Sequence, residues 1–268
     1  MTWTPPGPAW LFCPADRPDR YEKASARADV VILDLEDSVA PSDKAAAREA
    51  LVSTPLDPDR TVVRINAHRT ADWTADLEAL EHTDYSVIML PKCESAAQIS
   101  ALAPRQVVAL VESPLGAVSV FDSLGADNAV GVMWGAEDLV AALGGNSSRF
   151  ADGTYRAVAQ HVRSQTLLAA KARGVFALDS VFLDIPDRGG VRAESDDAVA
   201  VGFDGKVAIH PSHIPVIRDS YSPTPDEIEW ARGVLDAVEH NRGVFTFDGK
   251  MVDAPVIQHA RRLIARAT

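Results

Sequence analysis

The chain has 268 residues and sets 26 Lys and Arg against 38 Asp and Glu, a formal charge of −12. An apolar share of 47% supplies a large core and excludes a disordered chain, and no run approaches the roughly 18 apolar residues of a membrane span. The acidity argues against nucleic acid, which needs a clustered basic surface. Cys13 and Cys93 stand far apart outside any CxxC spacing, so neither a disulfide framework nor a zinc site is expected. The opening Met1-Thr2-Trp3-Thr4-Pro5-Pro6 lacks a basic region and an apolar stretch, and a reducing cytoplasm is the expected location.

Short apolar, β-branched runs recur with helix-length segments between most of them. Ala9–Phe12 comes first, then a turn at Pro14 and a helix around Asp19–Arg27. Val30–Leu33 leads into a helix with Pro41 near its start and Ala45–Leu51 inside it. Further strands are predicted at Val62–Ile65, Val87–Leu90, Val107–Val111, Ala129–Met133, Val181–Ile185 and Val207–Ile209. The longest helix is predicted over Thr154–Arg173, stopped by Gly174. Continuous apolar runs suit strands buried on both faces, and eight strand–helix alternations are the count of a (β/α)8 TIM barrel of the α/β class. The rival, an open doubly wound sheet, is disfavoured because no GxGxxG follows the first strand. The expected division is a barrel over residues 1–218 and a helical C-terminal extension over 219–268, packing on the barrel or on a neighbouring subunit. In that extension a helix begins at Pro223-Thr224-Pro225-Asp226, a polar turn holds Gly243 and Gly249, and a last helix runs near Pro255–Ala267.

Active sites of such barrels lie at the C-terminal strand ends, and here those ends are charged. The second strand ends in Asp34-Leu35-Glu36-Asp37-Ser38, the third carries Arg64 with Asn66 next, and the fourth is followed by Pro91-Lys92. Glu112-Ser113-Pro114 follows the fifth, Gly135-Ala136-Glu137-Asp138 the sixth, Asp184 lies in the seventh, and His210-Pro211 ends the eighth. Converging carboxylates repel unless a divalent cation joins them. Oxygen ligands point to Mg2+ or Mn2+, with Glu112 and Asp138 as the best ligand pair. Arg64 sits inside an apolar run, so it either forms a buried ion pair with Glu36 or Asp37 or grips a substrate carboxylate beside the metal. His210 and His213 do not match a metal-binding HExxH and read as structural. Arg17, Lys23 and Lys44 are candidates for an anionic cofactor, each also explicable as plain surface.

These motifs together resemble a known family. Phe12-Cys13-Pro14-Ala15-Asp16-Arg17, Leu33-Asp34-Leu35-Glu36-Asp37-Ser38-Val39, Val63-Arg64-Ile65-Asn66 and Leu90-Pro91-Lys92 are similar to stretches of citrate lyase beta-subunit-like proteins. So are Glu112-Ser113-Pro114-Leu115-Gly116, Gly135-Ala136-Glu137-Asp138-Leu139, Gly205–Pro211 and Gly249–Pro255, in order over nearly the whole chain. The group belongs to the malyl-CoA and citramalyl-CoA lyase and divalent-metal aldolase superfamily. The resemblance implies Mg2+ on Glu112 and Asp138, a keto-acid carboxylate on Arg64, and Glu36 and Asp37 as the acidic pair around the metal's water shell. Gly135 and Ala136 join Arg64 and Glu112 among the expected substrate contacts, and Arg17, Lys23 and Lys44 face the CoA phosphates. Asp253 matches an aspartate that reaches into a neighbouring subunit's site, which implies a homo-oligomer, a trimer; alone it would read as a helix N-cap. One departure is Glu112-Ser113-Pro114, where the family has glutamate-threonine-alanine.

The expected reaction is cleavage or formation of a 3-hydroxyacyl-CoA thioester, linking acetyl-CoA with an α-keto acid, with Asp253 as acid or base. The alternatives are a CoA-independent pyruvate aldolase, a citrate lyase beta subunit acting on an acyl-carrier-protein thioester, or a non-catalytic scaffold.

Overall fold

The computed structural model describes residues 2–241 and 243–267, and the chain divides into two compact units, Met1–Ile217 and Arg218–Thr268. In the first, eight parallel strands alternate with helices: β1 (Ala9–Pro14), α1 (Tyr21–Ser25), β2 (Val30–Asp34), α2 (Lys44–Ser53), β3 (Thr61–Arg64), α3 (Ala71–Leu80), β4 (Val87–Leu90) and α4 (Ala96–Ser100). The series continues with β5 (Gln106–Val111), α5 (Pro114–Ser123), β6 (Ala129–Trp134), α6 (Ala136–Ala142), α7 (Ala157–Arg173), β7 (Phe176–Asp179), α8 (Arg188–Val201) and β8 (Gly205–Ala208), and α9 (Ile214–Tyr221) carries the chain across the boundary between the units. The strands pair in chain order and β8 closes on β1, which is the expected (β/α)8 TIM barrel.

Strand side chains alternate between the barrel interior and the helix layer. Trp10, Val30, Ile32, Val62, Val87, Met89, Val108, Leu110, Val130, Leu178 and Val207 fill one buried interior cluster. Local signals set the helix ends. Ser113 caps α5 by accepting the Gly116 N–H at 3.1 Å, with Pro114 at the first helical position. Gly174 ends α7 in the left-handed region at φ +72°, a conformation glycine adopts without Cβ strain.

The seventh strand corrects the sequence reading. It is Phe176–Asp179, and Val181–Ile185 is irregular, with Leu183 50% exposed and Asp184 on the surface. The longer apolar run attracted the assignment, but α7 stops at Gly174 and the chain enters the barrel at once. Space decides the register: Phe176 pairs with Gly131 of β6, where a Cβ would meet the phenyl ring at 2.2 Å.

In the second unit, α10 (Pro225–His240) opens with a capping box between Thr224 and Glu227. A hairpin the sequence reading missed follows: β9 (Phe245–Phe247) pairs antiparallel with β10 (Lys250–Val252). Asp248 and Gly249 form its tip at φ +48° and +74°, as a two-residue Asp-Gly hairpin turn requires. The last helix, α11 (Ala254–Ala267), packs with α10 and the hairpin through Val234, Val252, Ala260, Leu263 and Phe247.

Candidate active site

The interior rows of three strands end in polar groups. Val30 and Ile32 lead to Asp34, Val62 to Arg64, and Val108 and Leu110 to Glu112. A period of two therefore carries these three side chains over the C-terminal mouth of the filled barrel. Asp34 and Arg64 are register partners on β2 and β3. Arg64 forks onto that carboxylate, Nε donating to Oδ1 at 2.6 Å and Nη2 to Oδ2 at 2.7 Å. Asp34 also accepts the Glu36 and Ser38 N–H groups at 2.9 and 3.1 Å. Burial raises its pKa, but the guanidinium and these donors outweigh burial and hold it below the ordinary value. The Phe12 ring lies 4.8 Å from Arg64 Cζ, a cation–π contact that covers the guanidinium.

Above this pair lies a ring of carboxylates around Lys92. Its Nζ donates to Glu36 Oε1 at 2.6 Å and stands 3.7, 3.8 and 3.9 Å from Glu112 Oε1, Asp138 Oδ1 and Asp37 Oδ2. The Lys92 backbone lies in the left-handed region at φ +50°, and its N–H donates to Glu112 Oε1 at 3.0 Å. Arg64 Nη1 is 3.0 Å from Glu36 Oε2, close enough for attraction though not aligned as a hydrogen bond. Burial pushes Glu112 up to about 8, helped by Glu36 and Asp138 and opposed by Lys92 and Arg64. Glu36 is raised as well, chiefly by burial. Gly135 approaches closely: a Cβ there would lie 3.0 Å from Glu112 Cβ and 3.1 Å from its Oε2. Ala136 begins α6, and Asp138 in its first turn leaves its side chain 45% exposed.

Known proteins are similar to this chain over most of its length. The HpcH/HpaI aldolase/citrate lyase model matches residues 9–211. The chain belongs to that family. It is 61% identical to a citrate lyase subunit beta-like protein of Mycobacterium tuberculosis, over 97% of this chain and 96% of that one. It is 32% identical to the mitochondrial citramalyl-CoA lyase of Homo sapiens, over 98% of this chain and 86% of that one. The crystal structure of protein CitE from Mycobacterium tuberculosis in complex with magnesium, acetoacetate and coenzyme A superposes with a TM-score of 0.94. That pair is 61% identical over 97% of this chain and 98% of that one.

For this family member the structure brings together Glu36, Asp37, Arg64, Glu112, Gly135, Ala136 and Asp138, all named from sequence. One expectation is extended and one is corrected. Arg64 does pair with Glu36, at 3.0 Å, and lies 3.8 Å from the mostly exposed Asp37, but its tightest partner is Asp34, because the two share a register on neighbouring strands. Lys44 is buried, not presented on the surface where an anionic cofactor was expected. Its Nζ donates to the Leu35 and Glu36 carbonyls at 2.6 Å each and to Asn66 Oδ1 at 2.8 Å, so it braces the segment that carries Glu36. Arg17 is exposed and tied to Asp19 at 3.0 Å, and Lys23 is exposed on α1. His213 is buried with Nε2 3.1 Å from the Ile185 carbonyl, and His210 Nδ1 is 2.7 Å from Ser212 Oγ. The Glu112-Ser113-Pro114 departure makes a capped helix start, and Ser113 Oγ donates to Glu94 Oε1 at 2.7 Å. In the second unit Asp253 precedes α11, where its Oδ1 accepts the Val256 N–H at 3.3 Å.

Sequence reasoning passed over Asp34 and Lys92 as site residues. Asp34 was legible from alternation, since it continues the Val30 and Ile32 row. Lys92 was visible as a strand-end charge, but its left-handed turn toward Glu112 was not.

Proposed function

We propose that this chain is a divalent-metal-dependent carbon–carbon lyase, cleaving or forming a 3-hydroxyacyl-CoA thioester such as citramalyl-CoA or malyl-CoA between acetyl-CoA and an α-keto acid. The observation that carries the reading is the mouth itself: an arginine clamped by Asp34 beside Glu112 and Asp138. The site suits a cation, because a carboxyl pushed to about 8 by burial and neighbouring carboxylates marks a place short of positive charge. Among the described residues no cluster of three or more His, Cys, Asp or Glu is arranged to enclose a metal. Glu112 and Asp138, hard oxygen donors brought to the same mouth, would hold Mg2+ or Mn2+ and leave positions for water and substrate oxygens. When bound, such an ion supplies Lewis-acid polarisation of a substrate oxygen. The magnesium and coenzyme A in the CitE complex support this reading.

The chain's own residues would do the rest. The Asp34 fork fixes the Arg64 plane and leaves Nη1 toward the mouth to meet the keto-acid carboxylate. Phe12 shields that contact from water. Glu36 and Asp37 orient water in the rim, and the Gly135 and Ala136 backbone admits substrate close to Glu112. Asp253 of a neighbouring copy, in a homotrimer, would carry a proton on its carboxylate to the thioester's α-carbon. Arg17 and Lys23 are the remaining basic candidates for the CoA phosphates. Among the described residues no helix is long and apolar enough to cross a membrane, and the proposed location is the cytoplasm.

Incubation with citramalyl-CoA and malyl-CoA, with Mg2+ or with EDTA, tests the reading; Mg2+-dependent release of acetyl-CoA is expected, and its absence with every thioester would overturn it. The 61% identical relative's name, citrate lyase subunit beta-like, favours one second reading, an acyl-carrier-protein thioester as substrate. Turnover of that thioester but not of the CoA ester would select it.

A further inference from the structure

Lys92 stands where two kinds of ligand are expected to meet. Asp34, Glu36, Asp37, Glu112 and Asp138 form the acidic mouth, and the described residues bring two cations within 4 Å of these carboxylates, Arg64 and Lys92. Arg64 is committed by its two-point fork to Asp34. Lys92 differs in each respect. Its ammonium is a point charge on a four-carbon stem with rotatable bonds, its side chain is 39% exposed, and beyond one hydrogen bond to Glu36 Oε1 at 2.6 Å it stands 3.7, 3.8 and 3.9 Å from three further carboxylates. Its backbone is held by the N–H bond to Glu112 and a left-handed turn that a non-glycine residue adopts at some cost and that tends to persist at functional positions.

We propose that Lys92 is a built-in competitor of the divalent cation on Glu112 and Asp138, and that the keto-acid carboxylate draws its ammonium away, so that metal and keto acid bind as a cooperative pair. The inference rests on the metal-lyase reading above. An ammonium 3.7 and 3.8 Å from those two carboxylates repels a dication placed on them, so metal alone binds weakly. A keto acid alone meets the excess of carboxylates. Together each ligand offsets the other's penalty: the carboxylate gives the ammonium a new partner, and the cation offsets the added negative charge. Such coupling is reciprocal, each ligand raising the other's affinity by the same factor.

Mn2+ titration of the full chain followed by electron paramagnetic resonance, with and without pyruvate, tests this without turnover. In the wild type, pyruvate is expected to tighten Mn2+ by about 5- to 150-fold, the usual range of such couplings. Lys92→Met should bind Mn2+ alone about tenfold more tightly and lose a similar factor of the pyruvate effect, whereas Lys92→Arg, which keeps the charge, should stay close to wild type. Three results overturn the inference: no coupling in the wild type, no gain in Mn2+ affinity in Lys92→Met, or the same gain in Lys92→Arg. The wild-type measurement stands even where a variant does not fold. Failure of the wild type to bind Mn2+ at all would instead strike the metal-lyase reading itself.

Discussion

At Glu112 the demands of folding and of chemistry pull apart. Burial, Glu36 and Asp138 raise its carboxyl to about 8, while the same group titrates near ~4.3 in an unfolded chain. Between those values the folded protein keeps a proton that the unfolded chain has lost. Stability therefore falls as pH rises from about 4 to about 8 and levels off above that. Glu112→Gln removes the slope. With EDTA present, its melting temperature is expected to match wild type near pH 4 and to exceed it at pH 8, by a stabilisation on the order of a few kcal/mol. Mg2+-dependent turnover should vanish in the same variant. Calorimetric scans across that pH range check it, and a variant no more stable than wild type at pH 8 contradicts the account. The position of Glu112 at the mouth was legible as an acid after a buried strand. Its ionisation was not, because that depends on Glu36 and Asp138, which lie on other elements.

Among the elements, β7 shows how a neighbour can overrule a local pattern. Asp179, fully buried on its outer face, accepts Trp134 Nε1 at 2.8 Å, Arg163 Nε and Nη2 at 2.9 and 3.2 Å, and Lys206 Nζ at 3.1 Å. Glu194 adds a contact to Lys206 at 3.2 Å and pairs with Arg149. The network ties β6, β7 and β8 to α7 and α8. Burial raises Asp179, but Lys206, Arg163 and Trp134 outweigh it and hold the carboxyl at about 2. Its contribution is thus complete above the unfolded value of ~3.9 and is lost as pH falls through about 2. Asp179→Asn leaves two cations under-compensated and should cost about 3–5 kcal/mol, read as a lower urea midpoint at pH 7. The difference from wild type should shrink below pH 3, and a gap unchanged at that pH would refute the assignment. None of this was visible in the run Val181–Ile185, whose apolar length outweighed the shorter Phe176–Leu178. Elsewhere the elements read well: the β2 and β5 runs, the Gly174 stop and the Thr224 start all stand where their sequences put them. The Asp248-Gly249 hairpin was equally legible and was missed because the glycines were read as a plain turn.

For the whole molecule the proposed function predicts that a second copy completes the mouth. Asp253 caps α11 inside the second unit through Oδ1, and its other carboxylate oxygen is proposed to serve another copy's site. Arg64→Ala and Asp253→Ala should each be inactive. Coexpressed, they should regain activity at roughly a quarter of the sites of a mixed homotrimer, because some mouths then receive an intact aspartate from a neighbour. Turnover of citramalyl-CoA by the mixture measures this, and no recovery would place Asp253 with its own barrel. The charge of −12 also acquires an address, since five of its carboxylates crowd one barrel end around Arg64 and Lys92. The alternation of buried runs with helices, and the acids that follow them, were determined by the sequence alone, because burial period and strand-end position are local properties of the chain. Only the tertiary structure decided that Arg64 answers to Asp34, that Lys44 is a buried brace and that Lys92 turns into the mouth, because each depends on which strands become neighbours when the barrel closes.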